Sequence, residues 1–107
     1  MTTKNFSEKQ HDTEKSRKFI ITYDIDSRDK EFYSAIHNAM KDNMEKITES
    51  TYISKRVYTI AQINHIVKSL KTSFSRHRES IQDTSKVTII FPRDSELIIE
   101  TIVRPER

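Results

Sequence analysis

The sequence contains no glycine, no cysteine and no tryptophan, and only two prolines. Without glycine it cannot form the glycine-rich loops that bind phosphate in P-loop and dinucleotide-binding proteins, so both classes are excluded. Without cysteine, disulfides and cysteine-ligated metal sites are excluded, which is typical of the reducing cytoplasm. No segment approaches the ~18 consecutive apolar residues of a membrane span, and no signal-peptide pattern occurs. We therefore expect a cytoplasmic protein without a membrane partner.

The chain has 107 residues, with 19 Lys and Arg against 16 Asp and Glu. The resulting net charge of +3 permits nucleic-acid binding without arguing for it. Residues 1–17 carry mixed charges around one large apolar side chain, Phe6, and are expected to form a disordered tail or a frayed helix. Residues 18–107 have the length and apolar content of a single domain.

Apolar periodicity predicts an alternation of strands and helices. Period-two patterns predict strands at residues 18–25, 45–54, 86–91 and 96–103, the second of which can break in two. Helical spacing predicts one helix from Asp29 and a second behind a capping box formed by Thr59 and Gln62. A tight turn over Pro92–Ser95 would join the last two strands. The order β-α-β(β)-α-β-β predicts an α+β, ferredoxin-like sandwich with two helices on one sheet face.

Several predicted strands are apolar on both faces, which is unusual for a sheet that has helices on one side only. One set of apolar residues is out of phase with the other; the first is Ile20, Tyr52, Ile90, Ile98 and Ile102, and the second is Phe19, Ile21, Ile89, Ile99 and Val103. A second copy of the chain would cover the face that the helices leave open, which predicts a sheet-to-sheet homodimer. The alternative is that the phase of a strand is misassigned by one residue.

Short motifs in the first half of the chain carry a family resemblance. Residues 21–26 read ITYDID, an acidic helix start follows at Asp29, and residues 50–53 read STYI. This pattern resembles that of SinR-like small proteins, which are related to the CRISPR-associated protein two family and share their fold class with VapD-type toxins. The turn at residues 54–56 reads Ser-Lys-Arg, where the CRISPR-associated relatives often carry a glycine-rich or acidic turn, and this favours the SinR-like group.

The resemblance implies a homodimer that acts on or near nucleic acid, as a Mg²⁺-dependent endoribonuclease or as a relative that only binds. It places the catalytic carboxylate at Asp24, where the two copies of a dimer can share Mg²⁺, with Asp26 as a second acid near the metal. Magnesium binds through one or two carboxylates and retains several waters, so two acids suffice. The alternative is structural: Asp24 ends the strand and Asp26 caps the following helix.

The densest basic run lies at the end of the second predicted helix. With a pair after the second strand it would form a phosphate-binding patch for RNA or DNA, made of Lys55, Arg56, Lys68, Lys71, Arg76 and Arg78. The alternative is a solvated helix end, where cations are favoured.

Tyr23 is expected in the core, and His37 and His65 are expected to be solvated. A non-enzymatic adaptor or inhibitor that binds a protein partner is the alternative function.

Overall fold

The computed structural model describes residues 15–106. Its elements are β1 (Ile20–Asp24), a 3₁₀ turn (Ser27–Asp29), α1 (Lys30–Asn38), a second 3₁₀ turn (Lys41–Asn43), β2 (Met44–Lys46), β3 (Thr51–Ser54), α2 (Ile60–Arg76), β4 (Lys86–Arg93) and β5 (Glu96–Val103). The strands form one antiparallel sheet in the order β2-β3-β1-β4-β5, and the second predicted strand is indeed divided. This α+β arrangement is compatible with the predicted ferredoxin-like fold. Neither helix in residues 15–106 has the length and apolarity needed to cross a membrane.

Strand β1 lies in the middle of the sheet and pairs with strands on both sides. Ile21 is opposite Tyr52 of β3 on one side and Ile89 of β4 on the other. Its side chain is fully buried, as is that of Ile89. Side chains at directly paired positions project from the same face, so these residues form one continuous apolar row beneath the helices.

Helix α2 begins and packs as the sequence predicts. The Thr59 hydroxyl accepts a hydrogen bond from the Gln62 amide at 3.2 Å, and the Gln62 side chain accepts one from the Thr59 amide at 2.9 Å. This reciprocal pair satisfies amides that would otherwise lack partners at the helix start. The predicted apolar stripe is buried in full: Ile60, Ile63, Val67, Leu70 and Phe74. The burial of each such side chain contributes about 1.5–3 kcal/mol, which fixes the helix on the sheet.

The folded region begins one residue earlier than predicted. Arg17, assigned to the tail from the sequence, is buried and exchanges backbone hydrogen bonds with Tyr58 at 2.8 and 2.7 Å. Its guanidinium also donates to the carbonyl of Pro92 at 3.0 Å. These contacts join the start of the domain to the segment before α2 and to the end of β4. The prediction for residues 1–14 lies outside the described part of the chain.

The β4–β5 hairpin is longer than predicted. Pro92 and Arg93, expected in the turn, belong to β4, and the turn is reduced to Asp94 and Ser95. Asp94 adopts a positive φ of 56°, which aspartate tolerates better than most residues and which compensates for the lack of glycine. Pro92 fits in the strand because it lies beyond Ile20, the first residue of β1, and so has no neighbouring β1 residue to pair with.

The assignment of apolar residues to the two sheet faces needs correction. Tyr52, Ile98 and Ile102 lie on the helix-covered face with Ile21, whereas Ile99 and Val103 lie on the opposite face with Ile20. Residues 97–99 are all apolar, so hydrophobicity gives no phase for β5. The two-residue turn sets the register instead, with Ile90 opposite Ile99.

The sheet face opposite the helices, here called the open face, is nevertheless apolar in part. One row across four strands consists of isoleucines and the next of threonines: Ile53, Ile20, Ile90 and Ile99, then Thr51, Thr22, Thr88 and Thr101. Asp24, Lys86 and Val103 follow in a third row. Ile99 is 61% exposed and Val103 is 50% exposed. In residues 15–106 both helices pack on the other face. The sheet therefore has apolar residues on both faces and helices on only one, as the sequence predicts.

Candidate functional site

The two carboxylates at the end of β1 lie in different surroundings. Asp24 is the last strand residue and projects from the open face, where its carboxylate is 3.9 Å from the ammonium of Lys86. Beyond the end of β1, Asp26 is the N-cap of the 3₁₀ turn that begins at Ser27. The ionic partner of Asp24 is thus Lys86, whereas Asp26 has other partners.

Asp26 is fully engaged in local hydrogen bonds. Its carboxylate accepts two side-chain bonds from Arg28 at 2.9 Å and one from Thr84 at 3.1 Å, and it caps the 3₁₀ turn through the Arg28 amide. The Arg28 hydrogen bonds hold the pKa of Asp26 well below its usual range. The observed contacts match the capping alternative, because a metal ion would have to replace them.

A buried carboxylate holds the segment after β1 in place. Asp29 accepts hydrogen bonds from the Ser85 hydroxyl at 2.6 Å and from the Gln82 amide at 2.9 Å. The Ser85 oxygen in turn accepts a bond from the Asp26 amide at 2.9 Å. Asp29 is thus a structural residue that links the end of β1 to the segment before β4.

Three tyrosines and one histidine form a cluster beside this segment, here called the tyrosine–histidine cluster: Tyr23, Tyr33, His37 and Tyr52. The rings of Tyr33 and His37 stack with centroids 5.3 Å apart and planes inclined by 7°. Tyr23 meets the Tyr33 ring edge to face at 5.1 Å, and its hydroxyl is 3.4 Å from Nδ1 of His37. The ring centroids of Tyr52 and His37 are 4.7 Å apart. The cluster joins β1, α1 and β3.

The cluster favours uncharged forms of its members. Burial raises the pKa of Tyr23, and the neighbouring phenols of Tyr33 and Tyr52 raise it further. Burial and a hydrogen bond with Tyr52 raise the pKa of Tyr33 to about 12. Burial, followed by the charge of Lys41, lowers the pKa of His37. At neutral pH the cluster is therefore expected to contain neutral phenols and a neutral imidazole.

A cleft of about 360 Å³ opens next to the cluster, here called the β1-end cleft. It is lined by Tyr23, Ile25, Asp26, Ser27, Lys30, Tyr33, Glu49 and Ser50. Ser50 is exposed here, and its carbonyl accepts a hydrogen bond from the Tyr23 amide at 2.8 Å. The cleft thus combines aromatic, hydroxyl and charged groups in one place.

The predicted basic residues do not form a single patch. Lys68, Lys71 and Arg76 are exposed along α2, and Arg78 follows just beyond its end. Lys55 and Arg56 precede the start of the same helix, whose 17 residues span about 25 Å. The guanidinium of Arg56 lies over the Tyr58 ring at 4.9 Å. Any phosphate contacts would therefore be spread along the helix layer.

The sequence reasoning missed the tyrosine–histidine cluster. Tyr23 is buried as expected, but His37, expected to be solvated, is half-buried between aromatic rings. His37 follows Tyr33 by four residues, and residues at this spacing are neighbours on a helix surface. This spacing could have indicated the contact between the two rings. The contribution of Tyr52 from β3 required the strand register. His65 is exposed, as predicted.

No protein-family model matches the chain, and no curated protein matches it significantly in sequence. The resemblance of residues 21–26 and 50–53 to SinR-like proteins therefore stays a prediction. The structure defines the class of fold, α+β with a five-stranded antiparallel sheet and two helices. Because one fold supports many activities, function has to be argued from the residues above.

The partly buried His37 predicts a loss of stability in mild acid. Its folded-state pKa is depressed, so its contribution is complete above the unfolded pKa of about 6.5 and is lost as pH falls through the folded pKa. We expect the free energy of unfolding, measured in urea, to fall between about pH 7.5 and about pH 5. His37→Gln should flatten this dependence and exposed His65→Gln should not. Equal slopes in all three proteins would contradict the assignment.

Proposed function

We propose that the protein is a homodimer that binds nucleic acid, with two copies packed through their open faces. The observation that carries the proposal is the isoleucine row of the open face, Ile53, Ile20, Ile90 and Ile99. A contiguous apolar surface of this kind is characteristic of an interaction site. A twofold axis pairs a surface with itself, and isoleucine and threonine rows suit such self-association because they carry few charges.

The position of the basic residues supports the same assembly. Lys68, Lys71 and Arg76 lie on α2, in the layer opposite the open face. A dimer formed through the open faces leaves both α2 helices on the outside, where lysine and arginine side chains can contact phosphates. Such contacts release counterions and give binding that weakens steeply with salt. The neighbouring Arg78–Glu79 ion pair, at 3.7 Å between exposed groups, is a weak competitor.

Magnesium chemistry at Asp24 depends on that dimer. In residues 15–106 no three His, Asp or Glu side chains are grouped closely enough to hold a metal ion. Of the two carboxylates at the end of β1, Asp26 is already bound by Arg28, so each chain can contribute Asp24. Two Asp24 side chains, one from each copy, would satisfy the preference of Mg²⁺ for one or two carboxylates. When bound, Mg²⁺ would neutralise charge on a phosphate.

The alternative function is a non-enzymatic adaptor or inhibitor that acts through protein contacts. One observation favours it: a groove of about 380 Å³ between α1 and α2 has a largely apolar lining that includes Ile36, Met40, Ile66 and Leu70. A dimer that shows no binding to nucleic acid at low salt would support this function over the first.

The dimer prediction is tested with one substitution on the open face. Ile99→Glu places a charge on a 61% exposed position of the isoleucine row, so it should convert the dimer to a monomer without unfolding it. Val57→Glu is the matched control, since Val57 is 53% exposed but lies outside the sheet. Light scattering after size exclusion gives the masses. A wild-type monomer at high concentration, or a dimeric Ile99→Glu variant, would refute the proposed interface.

Nucleic-acid binding is tested by reversing the charges of Lys68, Lys71, Arg76 and Arg78 to glutamate. Fluorescence anisotropy with a labelled single strand should show an affinity loss of about tenfold or more at low salt. The slope of log affinity against log salt should shrink by up to about 0.7 for each lost phosphate contact. Arg93→Glu, in the exposed β4–β5 hairpin, is the single-site control. Unchanged affinity in the reversed protein would exclude α2 as the contact surface.

Catalysis is tested at Asp24. Asp24→Asn keeps the size of the side chain but removes the charge that would bind Mg²⁺, so metal-stimulated cleavage of single-stranded RNA should fall to background. Exposed Asp42→Asn should cleave like the wild type. Full activity in Asp24→Asn would remove the catalytic assignment. RNA binding without any cleavage in the wild type would favour the relative that only binds.

A further inference from the structure

We propose that the β1-end cleft holds one nucleotide of a single-stranded nucleic acid, with the base against Tyr33 and the phosphate at Lys30. This inference rests on the proposed nucleic-acid binding and names a site for it that is separate from both Asp24 and α2. The cleft volume of about 360 Å³ lies within the ~300–1,000 Å³ typical of small-molecule sites. A single nucleotide is the size class that such a cleft can accommodate.

Tyr33 is prepared to stack a base. His37 covers one face of its ring in a nearly parallel stack, and Tyr23 contacts it edge to face. These contacts restrain the ring before a ligand arrives, which lowers the ordering cost of binding. A base would use the ring face that His37 leaves uncovered. Stacking on a tyrosine tolerates every base, so this contact predicts affinity without sequence preference.

The charges around the cleft favour a phosphate at Lys30. Lys30 is exposed at the start of α1 and forms no ion pair with another residue of the described chain. The acids on the cleft wall are compensated, Asp26 by Arg28 at 2.9 Å and Glu49 by Lys46 at 3.2 Å. Among the described residues that line the cleft, Lys30 therefore supplies the ammonium that is available to an anionic ligand.

Hydroxyl groups complete the cleft. Ser27 and Ser50 line it and are exposed, so their hydroxyls can serve a sugar or a phosphate oxygen. The segment that carries Ser27 and Lys30 is fixed from behind by the buried carboxylate of Asp29 through Ser85. The polar groups of the cleft are thus attached to a restrained segment, as a binding site requires.

The experiment measures the binding of fluorescein-labelled oligoadenylate of about ten nucleotides to the full chain by anisotropy. Tyr33→Leu, which keeps apolar bulk but removes the ring, and Lys30→Gln should each lower affinity about tenfold. Tyr33→Phe, which retains the ring, should bind nearly as the wild type does, and Arg93→Gln, in the exposed β4–β5 hairpin, should be unchanged. Thermal unfolding of each variant verifies the fold, and exposed Lys30→Gln remains informative if Tyr33→Leu does not fold.

A second measurement locates the site directly. Adenosine monophosphate should shift the amide NMR signals of residues 27–33 and Ser50, and ribose 5-phosphate should do so more weakly. If α2 charge reversal weakens binding while Tyr33→Leu and Lys30→Gln do not, the cleft assignment is wrong and the proposed function stands. If the wild type binds no oligonucleotide, the proposed function fails and this site fails with it. Shifts confined to residues outside the cleft would also overturn the assignment.

Discussion

The pairing of β1 with β3 on one side and β4 on the other is the constraint on which the rest of the structure depends. The segments that carry β3 and β4 are separated by α2, and β1 brings them into a single sheet. Ile21, fully buried at the centre of this pairing, connects the apolar rows of three strands. The same pairing places Asp24 beside Lys86 on the open face and Tyr23 beside Tyr52 under the helices. The surroundings of Asp24 and the tyrosine–histidine cluster are thus both consequences of the strands with which β1 pairs.

Where a sequence pattern was local and unambiguous, it predicted the fold well. The capping box and apolar stripe of α2 were readable because reciprocal capping and helical periodicity involve residues within one or two turns. The phase of β5 was not readable, since every residue from Leu97 to Ile99 is apolar and only the pairing with β4 selects a face. The extent of β4 was underestimated because a proline usually marks a turn, whereas Pro92 continues the strand beyond the first residue of β1.

In the candidate site, too, local features could be predicted from the sequence and features set by strand pairing could not. Asp24 and Asp26 could be identified from the sequence, but their different partners could not, because Lys86 reaches Asp24 across the sheet and Thr84 reaches Asp26 from the segment before β4. Arg28 is only two residues away, so its competition for Asp26 was within reach of sequence reasoning. The tyrosine–histidine cluster was not, as a whole, because Tyr52 joins it only through the strand register. The sequence therefore indicated candidate residues, and the topology determined their neighbours.

The threonine row of the open face has a consequence for how a second sheet can sit on it. The hydroxyls of Thr22 and Thr51 are 3.3 Å apart, and those of Thr88 and Thr101 are also 3.3 Å apart, so each pair can satisfy itself. The hydroxyls of this row are thus paired with one another within the sheet. Contact with a flat, dry surface then carries little desolvation penalty. The rows of β-branched side chains form ridges separated by grooves. The ridges of an opposing sheet would fit these grooves only at certain discrete offsets.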